Sequence, residues 1–278
     1  MKFTKMHGIG NDYIYFNCFE EKVYEPEKLA VKLSDRRFGI GGDGIVLIMP
    51  SDKADFKMRI FNADGSEGKM CGNATRCIGK YVYERGLTDK TKITLETLSG
   101  IKTMNLNVIN GVVESISVDM GKAILEAEKI PVTAPTHTVI GRTMTVAGKE
   151  QKITCVSMGN PHCVIFTEKT DKLNLEKIGP KYENDPIFPD RVNTEFVEVI
   201  DNKTLKMRVW ERGSGETHAC GTGASAVCVA AVENGLCGHN EDIKVILRGG
   251  ELTIKYMGNG TVIMTGPAAF VFDGEISL

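Results

Sequence analysis

The stretch KMCGNATRC, residues 69–77, decides the fold once it is laid over HACGTGASA, residues 218–226. In each, a Cys-Gly pair ends a polar loop and opens a helix-forming run. The two cysteines, Cys71 and Cys220, stand 149 residues apart. Sliding the chain by that one offset aligns much more than two thiols. Lys57, Met58 and Arg59 fall on Lys206, Met207 and Arg208, and Glu67 falls on Glu216. Past the helical run, Glu84, Gly86 and Leu87 meet Glu233, Gly235 and Leu236. Gly10-Asn11 maps to Gly159-Asn160, Gly100 to Gly249, and Asn110-Gly111 to Asn259-Gly260, with no inserted gap. The chain therefore reads as two homologous halves. Residues 1–119 carry Cys71, residues 120–266 carry Cys220, and residues 267–278 are expected to complete the first half.

Each half has strands around one principal helix. Residues 72–85 and 221–234 read as helices, each closed by a glycine. Shorter helices are expected at 26–35 and 171–182, and strands at 57–62 and 206–211 feed the cysteine loops. Asn110-Gly111 and Asn259-Gly260, flanked by alternating apolar residues, predict two-residue hairpins. The expected class is α+β with pseudo-twofold symmetry, each half an antiparallel, strand-rich, barrel-like domain around a central helix.

Composition narrows the partners. The 34 basic and 36 acidic residues leave a net charge of −2 with no charged block, which argues against nucleic acid. Residues 1–20 lack the order of a signal peptide, and no apolar run reaches the ~20 residues of a membrane helix. A cytosolic location follows as the expectation, with the eight cysteines reduced. No C-x-x-C pair suggests zinc, so no metal is expected. Most of the cysteines read as small buried hydrophobes.

Cys71 and Cys220 are different, because the first turn of a helix offers unpaired N–H groups and the positive end of its dipole. A thiol there has its thiolate stabilised, and its pKa can fall from ~8.5 into the range ~3.5–7.5. Neighbouring glycines let backbone amides approach a carboxylate. Two such thiols on opposite faces of one carbon suit proton transfer through a stereocentre. Around them, Asn11 pairs by symmetry with Asn160, and Asn62 with Glu211. Arg212 could clamp a carboxylate, Glu211 could accept from an ammonium, and His162 could tune a thiol.

With these residues in view, the chain resembles the diaminopimelate epimerase family over essentially its whole length. The resemblance rests on HGIGNDY at 7–13, FNADGSEGKMCGNATRC at 61–77 and MGNPHCV at 158–164. VNTEFV at 192–197, WERGSGETHACGTGASA at 210–226 and GP at 266–267 extend it. It implies cofactor-independent epimerisation of LL- to meso-diaminopimelate, without pyridoxal phosphate or metal, serving lysine and peptidoglycan precursors, in a homodimer. The family's catalytic cysteines match Cys71 and Cys220, and its supporting His and Glu match His162 and Glu211. Its substrate contacts map onto Asn11, Asn62, Asn73, Asn160, Asn193, Glu211 and Arg212, and onto the amides of Gly72, Gly221 and Thr222. One departure stands out: some members carry Gln where this chain has Gly44.

Three other readings compete. GIGGDG at 39–44 formally matches a dinucleotide fingerprint, but that motif needs a strand before it and a helix after it. A cysteine hydrolase using Cys220 with His162 or His218 leaves Cys71 unexplained. A proline racemase or hydroxyproline epimerase gives Asn193 and Glu211-Arg212 little to bind. A duplicated, non-enzymatic binding module for small amino acids is a further possibility on sequence alone.

Overall fold

A computed structural model describes residues 1–277. The chain forms two compact units, Met1–Asp119 together with the segment from Thr265, and Met120–Met264. The fold is α+β and strand-rich, with four α-helices among the described residues.

The first unit begins with β1 (Lys2–Gly8), β2 (Asn11–Asn17), α1 (Pro26–Ser34), β3 (Gly44–Met49) and β4 (Phe56–Asn62). It continues with β5 (Glu67–Gly68), α2 (Gly72–Glu84), β6 (Lys92–Thr97), β7 (Gly100–Ile109) and β8 (Val112–Lys122). The second runs through β9 (Arg142–Val146), β10 (Lys149–Ser157), β11 (Pro161–Phe166), α3 (Leu175–Glu183), β12 (Asn193–Asp201) and β13 (Thr204–Glu211). It ends with β14 (Gly215–Glu216), α4 (Gly221–Glu233), β15 (Ile243–Leu247), β16 (Gly250–Tyr256) and β17 (Thr261–Gly266). A last strand, β18 (Ala269–Glu275), pairs antiparallel with β1.

Pairing repeats between the units. In the first, β1–β2, β3–β4, β6–β7 and β7–β8 are antiparallel, while β2–β3 and β4–β6 are parallel. In the second, β10–β11, β12–β13 and β15–β16 are antiparallel, while β11–β12 and β13–β15 are parallel. The expected antiparallel character is thus interrupted twice in each unit. A parallel step cannot be closed by a tight turn and needs a crossover. The helices are those crossovers: α1 and α3 serve the first step of each unit, and α2 and α4 the second.

Local chemistry sets the helix ends. Gly86 (φ 71°) and Gly235 (φ 70°) take the left-handed conformation just beyond α2 and α4. Leu87 N–H then reaches Val82 C=O, and Leu236 N–H reaches Ala231 C=O, each at 2.9 Å, which satisfies carbonyls the helix leaves open. The helix expected at 171–182 starts later, at Leu175, because the side chain of Asn174 caps it by accepting from Lys177 N–H at 3.1 Å. Asn110 (φ 51°) and Gly111 (φ 81°) form the expected two-residue hairpin. The second hairpin differs. Gly260 N–H bonds Met257 C=O, and Met257 N–H bonds Thr261 C=O, so three residues make that loop, with only Gly260 at positive φ.

α1 puts Leu29, Ala30 and Leu33 on Ile14, Phe16, Ile45 and Leu47 to form one core. α4 is buried from Gly223 to Val232, and its small residues let strands approach it on several sides. Gly179 of α3 lies flat on the Trp210 ring, where an added Cβ would stand 2.1 Å from Cδ2. Residues 39–44 lead from α1 into β3, a helix-to-strand order that reverses the dinucleotide fingerprint.

Candidate active site

Cys71 and Cys220 occupy the N-cap positions of α2 and α4, the residues just before the first helical turn. The first amides of each helix have no intrahelical acceptor, which leaves N–H donors at Gly72 in α2 and at Gly221 and Thr222 in α4. All eight cysteines are free thiols. Cys71 is half-buried and Cys220 is buried.

In the first unit the thiol faces an amide. Cys71 Sγ donates to Asn11 Oδ1 at 3.4 Å, and Asn73 Nδ2 donates to the same oxygen at 3.1 Å. The orientation of Asn11 is forced from behind, because its Nδ2 donates to Asp43 Oδ2 at 2.7 Å. A carboxylate only accepts, so the amide oxygen must face the thiol. Asp43 also takes Arg36 at 2.9 Å, and Asp12 bridges Arg36 at 2.7 Å and Lys5 at 2.6 Å. Burial pushes the Asp12 carboxyl up, but hydrogen bonds from Arg36 and Lys5 outweigh it and hold the pKa below its ordinary value. Arg76, fully buried on α2, donates to Asn73 Oδ1 at 2.9 Å. Asn73 therefore spends its side chain on the framework.

In the second unit the thiol faces carboxylates. Cys220 Sγ accepts from Gly223 N–H at 3.3 Å and lies 3.5 Å from Thr222 Oγ1. Burial, then the Glu211 and Glu195 carboxylates, push the Cys220 thiol well above its ordinary pKa, and the bonds from Thr222 and Gly223 only partly oppose them. This corrects the expectation of a lowered pKa. The helix end is present, but desolvation and two nearby carboxylates outweigh it. Glu211 is itself raised by burial, against hydrogen bonds from Thr217 and Cys220. The Thr217 hydroxyl donates to Glu211 Oε1.

Asn160 Nδ2 donates to Thr222 Oγ1 at 3.3 Å, the counterpart of the Asn73–Asn11 bond across the repeat. The family model for diaminopimelate epimerase matches residues 3–126 and 154–271. The chain belongs to the diaminopimelate epimerase family. It is accordingly an isomerase. The diaminopimelate epimerase of Acetivibrio thermocellus is 58% identical over 279 residues, covering 100% of this chain and 99% of that protein. The one from Methanococcus maripaludis strain S2 is 54% identical and covers 100% of both. A phenazine biosynthesis protein of the PhzF family from Bacillus anthracis superposes with a TM-score of 0.73 at 18% identity, covering 100% of this chain and 99% of its own. A hydroxyproline epimerase from Agrobacterium vitis gives 0.71 at 14%, covering 99% and 91%. At those identities the likeness is one of fold.

The remaining epimerase-family positions fall as follows. Asn62 ends β4, is exposed, and donates to Ser66 Oγ at 3.0 Å. Asn193 is buried: its Nδ2 donates to Pro161 C=O and its Oδ1 accepts from Arg212 N–H, both at 2.9 Å. It therefore fixes the backbone that carries Arg212, whose Nη1 donates to Asp190 C=O at 2.7 Å. His162 is fully buried, with Nδ1 2.7 Å from Glu195 Oε1 and Nε2 3.1 Å from Asn160 Oδ1. Both ring nitrogens are thus engaged by Glu195 and Asn160, which leaves neither to pair with Cys220 as a hydrolase dyad. His218 is exposed. At Gly44 an added Cβ would stand 2.0 Å from Phe61 C=O, so the Gln of other members has no room on this backbone.

Sequence reasoning missed Asp43, Thr217, Glu183 and Glu195. Asp43 sat in a segment read only as a turn. Glu183 accepts from Trp210 Nε1 at 2.7 Å and from Gly213 N–H at 2.9 Å, tying down the turn that bears Glu211 and Arg212. For Glu195 a signal existed, an acidic residue directly before the apolar pair Phe196-Val197. Among the described residues, no cluster of three His, Cys, Asp or Glu is placed to hold a metal, and no helix is long and apolar enough to cross a membrane.

Proposed function

We propose that this enzyme interconverts LL- and meso-diaminopimelate with Cys71 and Cys220 as its two acid–base groups and no cofactor. One cysteine, as thiolate, takes the α-proton, while the other, as thiol, returns a proton to the same carbon and inverts it. The observation that carries this reading is the position shared by the two thiols. Each caps the long buried helix of its unit, beside amides able to hold a carboxylate. Charge that develops as the α-proton leaves is spread toward that carboxylate, where preorganised N–H donors stabilise it.

The two thiols start from different surroundings. Cys220, held as a thiol by burial and its carboxylate neighbours, is the resting acid. Cys71 donates its S–H to the amide oxygen of Asn11 and must release that proton before it acts as the base. Asn62, Asn160, Asn193, Glu211 and Arg212 would hold the distal amino-acid end. The activity supplies precursors of lysine and peptidoglycan, in the cytoplasm and from a homodimer.

Incubation with diaminopimelate and with proline, in the presence of a chelator and a carbonyl reagent that traps pyridoxal phosphate, tests the proposal. Interconversion of diaminopimelate alone, undiminished by either reagent, is expected. Turnover of proline, or loss of activity with either reagent, would count against it.

A further inference from the structure

Glu195 lies on β12 and is wholly buried, a state that acidic side chains almost never adopt without a partner. Its Oε1 stands 2.7 Å from His162 Nδ1, and its Oε2 has no hydrogen-bond partner. The other ring nitrogen of His162 faces Asn160 Oδ1 at 3.1 Å. The carboxylate also packs on the first turn of α4, where a Cβ on Gly223 would stand 2.7 Å from Oε1 and 3.2 Å from Cys220 Sγ. Carboxylate, imidazole and thiol therefore share one buried region of the second unit.

We infer that Glu195 is a positioning residue for proton transfer at Cys220, acting by keeping His162 doubly protonated between itself and Asn160. This rests on the reading of Cys220 as an acid–base group. A buried carboxylate with one unpartnered oxygen is costly unless a cation faces it. The other titratable groups around the pair are Cys163 on β11, Glu211 on β13 and Cys220 at the start of α4, none of them cationic. Only an imidazolium can supply the charge. It also explains Asn160, since a protonated Nε2 needs an acceptor and holds the amide oxygen toward the ring. Asn160 Nδ2 is then directed to Thr222 Oγ1, at the helix end that carries Cys220. Without the second ring proton, the amide gains by turning over, and that support is lost.

Glu195→Gln keeps an acceptor of the same shape and removes the charge. Its kcat for diaminopimelate is expected to fall about ten- to a hundredfold, as when a partner that orients an imidazole is lost, with KM little changed. Glu195→Asp, which keeps the charge, recovers part of the rate. In wild type, the imidazole ¹⁵N spectrum, assigned with His162→Asn, shows both nitrogens protonated at neutral pH. An unchanged kcat in Glu195→Gln, or a singly protonated His162 in wild type, overturns the inference. If Glu195→Gln fails to fold, the wild-type spectrum decides alone. A wild-type enzyme inactive on diaminopimelate refutes the proposed function instead, and the spectrum still judges the pair.

Discussion

Replacing Gly223 by alanine sets two opposing effects against each other at one position. Gly223 is the third residue of α4, and glycine to alanine inside a helix ordinarily gains about 0.5–1 kcal/mol. Here the new Cβ would stand 2.7 Å from Glu195 Oε1 and 3.2 Å from both Cβ and Sγ of Cys220. The nearest contact must open by about half an ångström, and such overpacking typically costs about 1–3 kcal/mol. Glu195 has nowhere to retreat, being fully buried and 2.7 Å from His162. The clash wins by about 1 kcal/mol, which lowers Tm by about 2–4 °C for a chain of this size. The same displacement moves the Cys220 thiol and loosens His162, so kcat falls about tenfold or more. Thermal unfolding and a diaminopimelate assay read the two effects separately. A Tm that rises with kcat unchanged, the usual result of removing a helix glycine, would refute the packing argument.

The turn carrying Glu211 and Arg212 depends on Glu183. Glu183→Gln leaves Trp210 Nε1 or Gly213 N–H poorly paired, costs about 1–3 kcal/mol of stability, and raises KM more than it lowers kcat. Steady-state kinetics showing KM unchanged would count against that role. Because burial and the carboxylates raise the Cys220 pKa, the thiol form dominates near neutral pH. The direction of reaction in which Cys220 takes the α-proton should therefore speed up as pH rises. Glu211→Gln removes one of those carboxylates and should move that rise to lower pH, which kcat/KM profiles in both directions would reveal. Gly44→Gln should destabilise the protein without tightening substrate binding, since its Cβ meets Phe61 C=O at 2.0 Å. A well-folded variant with a lower KM would show that the strand can yield there.

Much of this architecture was legible because the chain states it twice. The offset between Cys71 and Cys220 is also the offset between α2 and α4, and between α1 and α3. Glycines at 86 and 235 marked the helix ends because only a left-handed residue closes them in this way. The parallel steps were not legible, since a strand's own alternation does not show which way its neighbour runs. Nor was the raised pKa of Cys220, because the helix end is local in sequence whereas Glu195 and Glu211 arrive from β12 and β13. Nor were the framework bonds of Asn193 legible. Its bonds to Pro161 and Arg212 depend on strand register, which spacing alone does not reveal.

The central claim, that two thiols share one proton transfer, is tested most directly by epimerisation in D₂O with single-cysteine variants. Wild type should place one solvent deuteron at the inverted α-carbon per turnover, read by NMR or mass spectrometry. Cys71→Ala and Cys220→Ala should each fold and each lose at least about 10²-fold in epimerisation, the usual scale for removing one acid–base group. Either variant epimerising at the wild-type rate would contradict the account.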